Sequence, residues 1–119
     1  MLKMLIVDDE NMMHELAKPF FERRNFQVLY AAKGEEGLDI FKKESPDIVL
    51  LDLGLPDMDG KDVLVKMKGL NKKSKIIVLT GFSEEEIKTK ILPLGPDAYF
   101  TKPCRLPAVD EKIKEMLKG

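Results

Sequence analysis

The chain has 119 residues, 44% of them hydrophobic, and 21 acids against 20 bases leave a formal net charge of −1. That length suits one domain around a single core, and the apolar share is too high for a disordered chain. The balanced charge offers no basic excess for nucleic acid and no single-sign tail.

Met4-Leu5-Ile6-Val7 opens the chain with a short apolar strand, without the pattern of a cleavable signal. It ends in acids, Asp8-Asp9-Glu10. Asn11 can cap a helix from about Met12 to Arg24, with Met13, Leu16, Ala17 and Phe20 on its inner face. Pro19 lacks the amide that would bond to Glu15 and is expected to kink that helix. Gln27 to Ala31 reads as a second strand. A weaker helix follows from Gly34 to Lys43, with Gly37, Leu38 and Phe41 inward; each glycine costs it about 1 kcal/mol relative to alanine.

After Pro46, Ile48 to Leu51 run without a polar interruption, the pattern of a strand buried on both faces. This strand ends on Asp52, and a loop with Gly54, Pro56 and Gly60 follows at once. Asp59 is the expected cap of a helix over Lys61 to Lys68, with Val63, Leu64 and Met67 inward. Asp57 and Asp59 read as turn and cap residues. Lys75 to Thr80 repeats the buried-strand pattern but ends on a hydroxyl. Ser83 and Glu86 form a capping box for a helix with Ile87 and Ile91 inward. Pro93, Gly95 and Pro96 should keep it short. Ala98 to Thr101 is the fifth strand, followed by Lys102-Pro103. The last helix starts near Leu106, with Pro107 in its first turn and Leu106, Val109, Ile113 and Met116 or Leu117 inward. It runs to the end of the chain, so one domain over residues 1–119 is expected.

Five strands alternating with five helices imply right-handed crossovers and an α/β fold, a doubly wound parallel sheet in the order 2-1-3-4-5. Ligands in such sheets bind beyond the carboxyl ends of the strands. Those ends carry Asp8 and Asp9, Asp52, Thr80 and Lys102. Crowded carboxylates repel, so they either take raised pKa values or recruit a cation. An all-oxygen cluster suits Mg²⁺, with Mn²⁺ as the alternative. A lysine and a hydroxyl opposite the metal could hold the other oxygens of a phosphoryl group, and an aspartate can be its nucleophile.

These segments together resemble the receiver domains of two-component response regulators, the single-domain chemotaxis type among them, along essentially the whole chain. The matching pieces are Asp8-Asp9-Glu10, the loop from Asp52 to Gly60, Thr80-Gly81 and Tyr99-Phe100-Thr101-Lys102-Pro103. The resemblance implies a flavodoxin-like fold with Asp52 as phosphoacceptor. It implies a metal pocket of Asp8, Asp9, Asp52 and the backbone carbonyl of Gly54. Thr80 would turn its hydroxyl onto the phosphoryl group, and Lys102 would pair with it across a cis bond to Pro103. Tyr99 would swing inward with Thr80, reshaping the face of the fourth helix, fifth strand and fifth helix. The implied donor is a sensor histidine kinase or a histidine phosphotransfer protein, in the cytoplasm; no direct nucleic-acid or membrane contact is implied. That setting agrees with Cys104, a lone cysteine that cannot form an internal disulfide, and with no apolar run near the about 18 residues of a membrane span.

Some positions depart from the family. Cys104 stands where an aromatic or large aliphatic residue is usual, Pro96 replaces a small residue, and Pro93 stiffens the end of the fourth helix. Other residues have plainer readings: Tyr99 as a strand residue, Glu10 as solvated, His14 as an exposed helix residue, the scattered methionines as core. The alternative function is a magnesium-dependent aspartate phosphatase or a nucleotide hydrolase. Against it, no G-x-x-x-x-G-K-[ST] occurs, and Gly54 stands where such phosphatases carry a second acid.

Overall fold

A computed structural model describes residues 1–118; Gly119, the end of the expected domain, lies outside them. The elements are β1 (Leu2–Val7), α1 (Asn11–Glu22), β2 (Phe26–Ala31), α2 (Gly34–Glu44), β3 (Ile48–Asp52), α3 (Gly60–Leu70), β4 (Lys75–Thr80), α4 (Glu84–Glu86), β5 (Ala98–Thr101) and α5 (Leu106–Lys118). The strands form one parallel sheet in the order β2-β1-β3-β4-β5. This is the expected doubly wound arrangement.

Alternation along each strand sends successive side chains to opposite faces. Met4, Ile6, Ile48, Leu50, Ile77 and Leu79 face one side, where α1 covers them with Ala17 and Phe21 and α5 with Val109 and Ile113. Leu5, Val7, Val49, Leu51, Ile76 and Val78 face the other, under Leu38 and Phe41 of α2, Val63, Leu64 and Met67 of α3, and Ile87 and Ile91. A strand covered on both faces must be apolar throughout, which is why Ile48–Leu51 carries no alternation.

Gly37 has its reason in this packing: a Cβ there would meet Val7 Cγ2 at 2.9 Å. Without a side chain, α2 lies close against β1.

Two expectations about helices are corrected. Leu16 is 60% exposed. It lies about 100° around the helix from the buried Ala17, off the stripe that Phe21 and Phe20 continue. Asn11 is not a cap; it is the first residue of α1, and its side-chain amide donates to Glu15 at 3.3 Å. At the end of α5, where either Met116 or Leu117 is expected inward, it is Met116 that packs on the core while Leu117 is exposed.

The fourth helix is short, as the prolines require. After α4 the chain makes a wide π turn over Ile87–Ile91 and a 3-10 turn over Leu92–Leu94, ending on Gly95 at φ 82°. Pro93 has no amide to donate and its ring would press on the carbonyl four residues back, so the preceding turn widens. Ile87 and Ile91 still reach the core.

Among the described residues, no helix is long and apolar enough to cross a membrane.

Candidate functional site

β1 and β3 lie side by side, Val7 against Leu51, so the acids that end them emerge together. Asp52 pairs with Leu79 on β4, and Thr80 with Thr101 on β5. The backbone amide of Lys102 donates to the Thr80 carbonyl at 2.7 Å. The sheet therefore delivers Asp8, Asp52, Thr80 and Lys102 to one edge.

At that edge the Lys102 ammonium sits among carboxylates. Its Nζ is 3.2 Å from Asp52 Oδ2, 3.5 Å from Asp8 Oδ2 and 3.4 Å from Glu10 Oε1. Burial works against the lysine's charge, but Asp52, then Asp8 and Glu10, outweigh it and hold the amine above its ordinary pKa. Asp8 shows the converse. Burial raises its carboxyl, the Glu10 amide lowers it, Asp52 raises it further and Lys102 pulls it down, for a net rise from 3.8 to about 6. One ammonium does not balance the acids around it.

Carboxylate oxygens of Asp8, Glu10 and Asp52 come within 4.8 Å of one another. All are hard oxygen donors, the kind a small divalent cation takes, and a modest approach of the three would let them hold one. Of the metal-binding groups named from sequence, this cluster contains Asp8 and Asp52. Asp9 is exposed and outside it, while Glu10, read as solvated, joins it although its side chain is 65% exposed. The Glu10 amide donates to Asp8 Oδ1 at 2.8 Å, an Asx turn over the middle residue.

Three further residues hold the site in place. The Tyr30 hydroxyl donates to the backbone carbonyl of Asp8 at 2.7 Å. His14 is half-buried rather than exposed, stacked on Tyr30 with ring centroids 4.0 Å apart. Burial and then Lys18 hold its pKa below the usual histidine value, and its buried Nδ1 has no hydrogen-bond partner among the described residues. The Gly54 amide donates to Asp52 Oδ1 at 3.1 Å. The only local sign of Tyr30's role was an aromatic hydroxyl near the end of a strand.

Thr80 is buried, and its Oγ1 accepts from the Phe82 amide at 3.1 Å. Tyr99 is half-buried; its hydroxyl donates to Glu84 Oε2 at 3.1 Å, which holds the phenol above its usual pKa. The Lys102-Pro103 bond is cis. Cys104 is half-buried and free, and burial raises its thiol. It lines a recess of about 280 Å³ with Glu10, Met13, Lys102 and Pro103. Two larger grooves, one beside α5 and one between α2 and α3, are not lined by any of the clustered acids.

The family model "response regulator receiver domain" matches residues 4–114. The chain is 35% identical over 115 residues to sporulation initiation phosphotransferase F of Bacillus subtilis, covering 97% of this chain and 93% of that one. It is 36% identical over 116 residues to the alkaline phosphatase synthesis transcriptional regulatory protein of the same organism; the match covers 98% of this chain but only 48% of that longer protein. The crystal structure of a receiver domain protein from Methanospirillum hungatei superposes with a TM-score of 0.93 at 36% identity, over 99% of this chain and 94% of that one.

Proposed function

Because this chain belongs to the receiver domains of two-component response regulators, a family of signalling switches, we propose that Asp52 is the phosphoacceptor of a phosphorelay. The observation that carries this reading is the Lys102 ammonium 3.2 Å from Asp52, beside the buried Asp8 and at the edge that Thr80 also reaches.

The donor is a phosphohistidine on a sensor kinase or a histidine phosphotransfer protein. An Asp52 carboxylate oxygen attacks the phosphorus, and the bond from phosphorus to the imidazole nitrogen breaks. The imidazole leaves with that electron pair and the acyl phosphate stays on Asp52. Asp8, Asp52 and the Gly54 carbonyl, with Glu10 beside them, are the groups that would hold Mg²⁺ or Mn²⁺, and Asp9, now outside the cluster, would join them by turning its side chain inward. When bound, the ion neutralises charge on the transferring oxygens. Lys102, released from part of its present contacts, pairs with the phosphoryl group, whose charge of nearly −2 outbids a single carboxylate.

Switching follows from what Thr80 and Tyr99 now touch. Thr80 must give up the Phe82 amide to turn its hydroxyl onto the phosphoryl group. That frees the loop leading to α4, and Tyr99 leaves Glu84 for the space vacated. The altered face is α4, β5 and α5.

Acetyl phosphate tests the core of this reading. With Mg²⁺, the chain should take up one phosphoryl group, seen by intact mass, and Asp52→Ala should abolish it. Uptake by that variant at the wild-type rate would overturn the assignment.

A further inference from the structure

α2 begins without a cap of its own. Lys33, the residue before it, is extended and its side chain makes no capping hydrogen bond. The first amides of a helix have no partner within it. Here two of them are met from another part of the chain. The Gly34 amide donates to Asp57 Oδ1 at 2.8 Å, and the Glu35 amide to Asp57 Oδ2 at 3.0 Å. Asp57, read from sequence as a turn residue, caps a helix to which it does not belong. The bonds from Glu35 and Gly34 hold its carboxyl below the usual range.

The loop that carries Asp57 also carries Gly54, and it is anchored elsewhere as well. At its base the Gly60 amide donates to the Leu53 carbonyl at 3.3 Å. The two backbones touch so closely that a Cβ on Gly60 would lie 2.4 Å from Leu53 Cα. At its other side Met58 lies over Gly34, where a Cβ would come within 2.5 Å of Met58 Cγ. Only Leu55 and Pro56 separate Gly54 from the anchor at Asp57.

We infer that Asp57 is a positioning residue for the cation site: by docking its loop on the start of α2, it holds the Gly54 carbonyl where the ion needs it. The inference rests on the proposed reading of Gly54 as a metal-binding carbonyl. Groups that orient a metal's ligands are worth about ten-fold or more in affinity when removed. A residue that merely capped α2 would affect stability alone.

The test compares Asp57→Ala and Asp57→Asn with Glu36→Ala. Glu36 also serves the start of α2, accepting from the Ala32 amide at 2.9 Å, with no hydrogen bond to the loop among the described residues. Two quantities are measured on the whole chain: Mg²⁺ affinity by calorimetry with MgCl₂ alone, and hydrogen exchange of the Gly54 amide without metal. Asp57→Ala should weaken Mg²⁺ binding about ten-fold and speed exchange at Gly54. Asp57→Asn, which keeps one acceptor oxygen and the side chain's shape, should fall between, and it decides the matter if the alanine variant does not fold. Glu36→Ala should match wild type in both. Wild-type affinity and exchange in the Asp57 variants would overturn the inference while leaving the proposed function standing, as would an equal loss in Glu36→Ala. A wild-type chain that binds no Mg²⁺ would overturn both.

Discussion

Replacing Asp8 with asparagine should make the metal-free protein more stable. Asp8 is fully buried, and its carboxyl is raised from 3.8 to about 6 by burial and by Asp52, against the Glu10 amide and Lys102. A folded-state pKa above the unfolded one means that the folded chain holds the proton more tightly. Stability therefore falls as pH rises from about 4 to about 6, and stays low above that. The gap corresponds to about 3 kcal/mol at pH 7.5, and to only about 1 kcal/mol at pH 4.5, where the folded carboxyl is already protonated. Asparagine has the shape of the neutral acid and keeps an oxygen for the Glu10 amide, so Asp8→Asn should recover that penalty. Urea unfolding at the two pH values reads it directly. With a slope near 1.3 kcal/mol per molar urea for a chain of this size, the midpoint should rise by about 2 M at pH 7.5 and by about 1 M or less at pH 4.5. No gain at pH 7.5, or an equal gain at both, would refute the reasoning. The same substitution should weaken Mg²⁺ binding, since the acids that strain the fold are those that recruit the ion.

Two glycines should respond oppositely to alanine. Gly60→Ala drives a Cβ into the Leu53 backbone and should lower stability by about 2 kcal/mol or more by urea unfolding, whereas Gly69→Ala, in α3 with nothing within 4 Å, should raise it by about 0.5–1 kcal/mol. Glu84→Gln should return the Tyr99 phenol toward its ordinary pKa, visible as an earlier rise in phenolate absorbance, because the Glu84 contact is what raises it. An unmoved titration would show that Tyr99 is not held by Glu84 in solution.

The strands and the edge they share were legible because their signal is local. Runs such as Ile48–Leu51 and Lys75–Thr80 state their burial in a few consecutive residues, and alternation with helical patterns leaves few ways to arrange them. Asp52, Thr80 and Lys102 were found by reading off strand ends, and the Lys102 ammonium does lie beside Asp52. Harder to see was anything that depends on rotation about an axis or on a distant partner. Leu16 fits a helical spacing with its neighbours yet falls outside the arc that packs on the sheet. Asp9 and Glu10 are adjacent acids in a turn, and which of them meets Asp52 depends on the Asx turn at Asp8, not on residue type.

What the sequence determined by itself, then, is the order of buried and exposed segments and the set of chemical groups at the tips of the strands, since both follow from patterns a few residues long. Only the tertiary structure decided that Glu10 joins Asp8 and Asp52, that Tyr30 holds the Asp8 carbonyl, and that Asp57 caps α2. The contacts of Glu10 with Asp52, of Tyr30 with Asp8 and of Asp57 with α2 join residues brought together by the packing of whole elements, and no local pattern encodes the angle at which two elements meet.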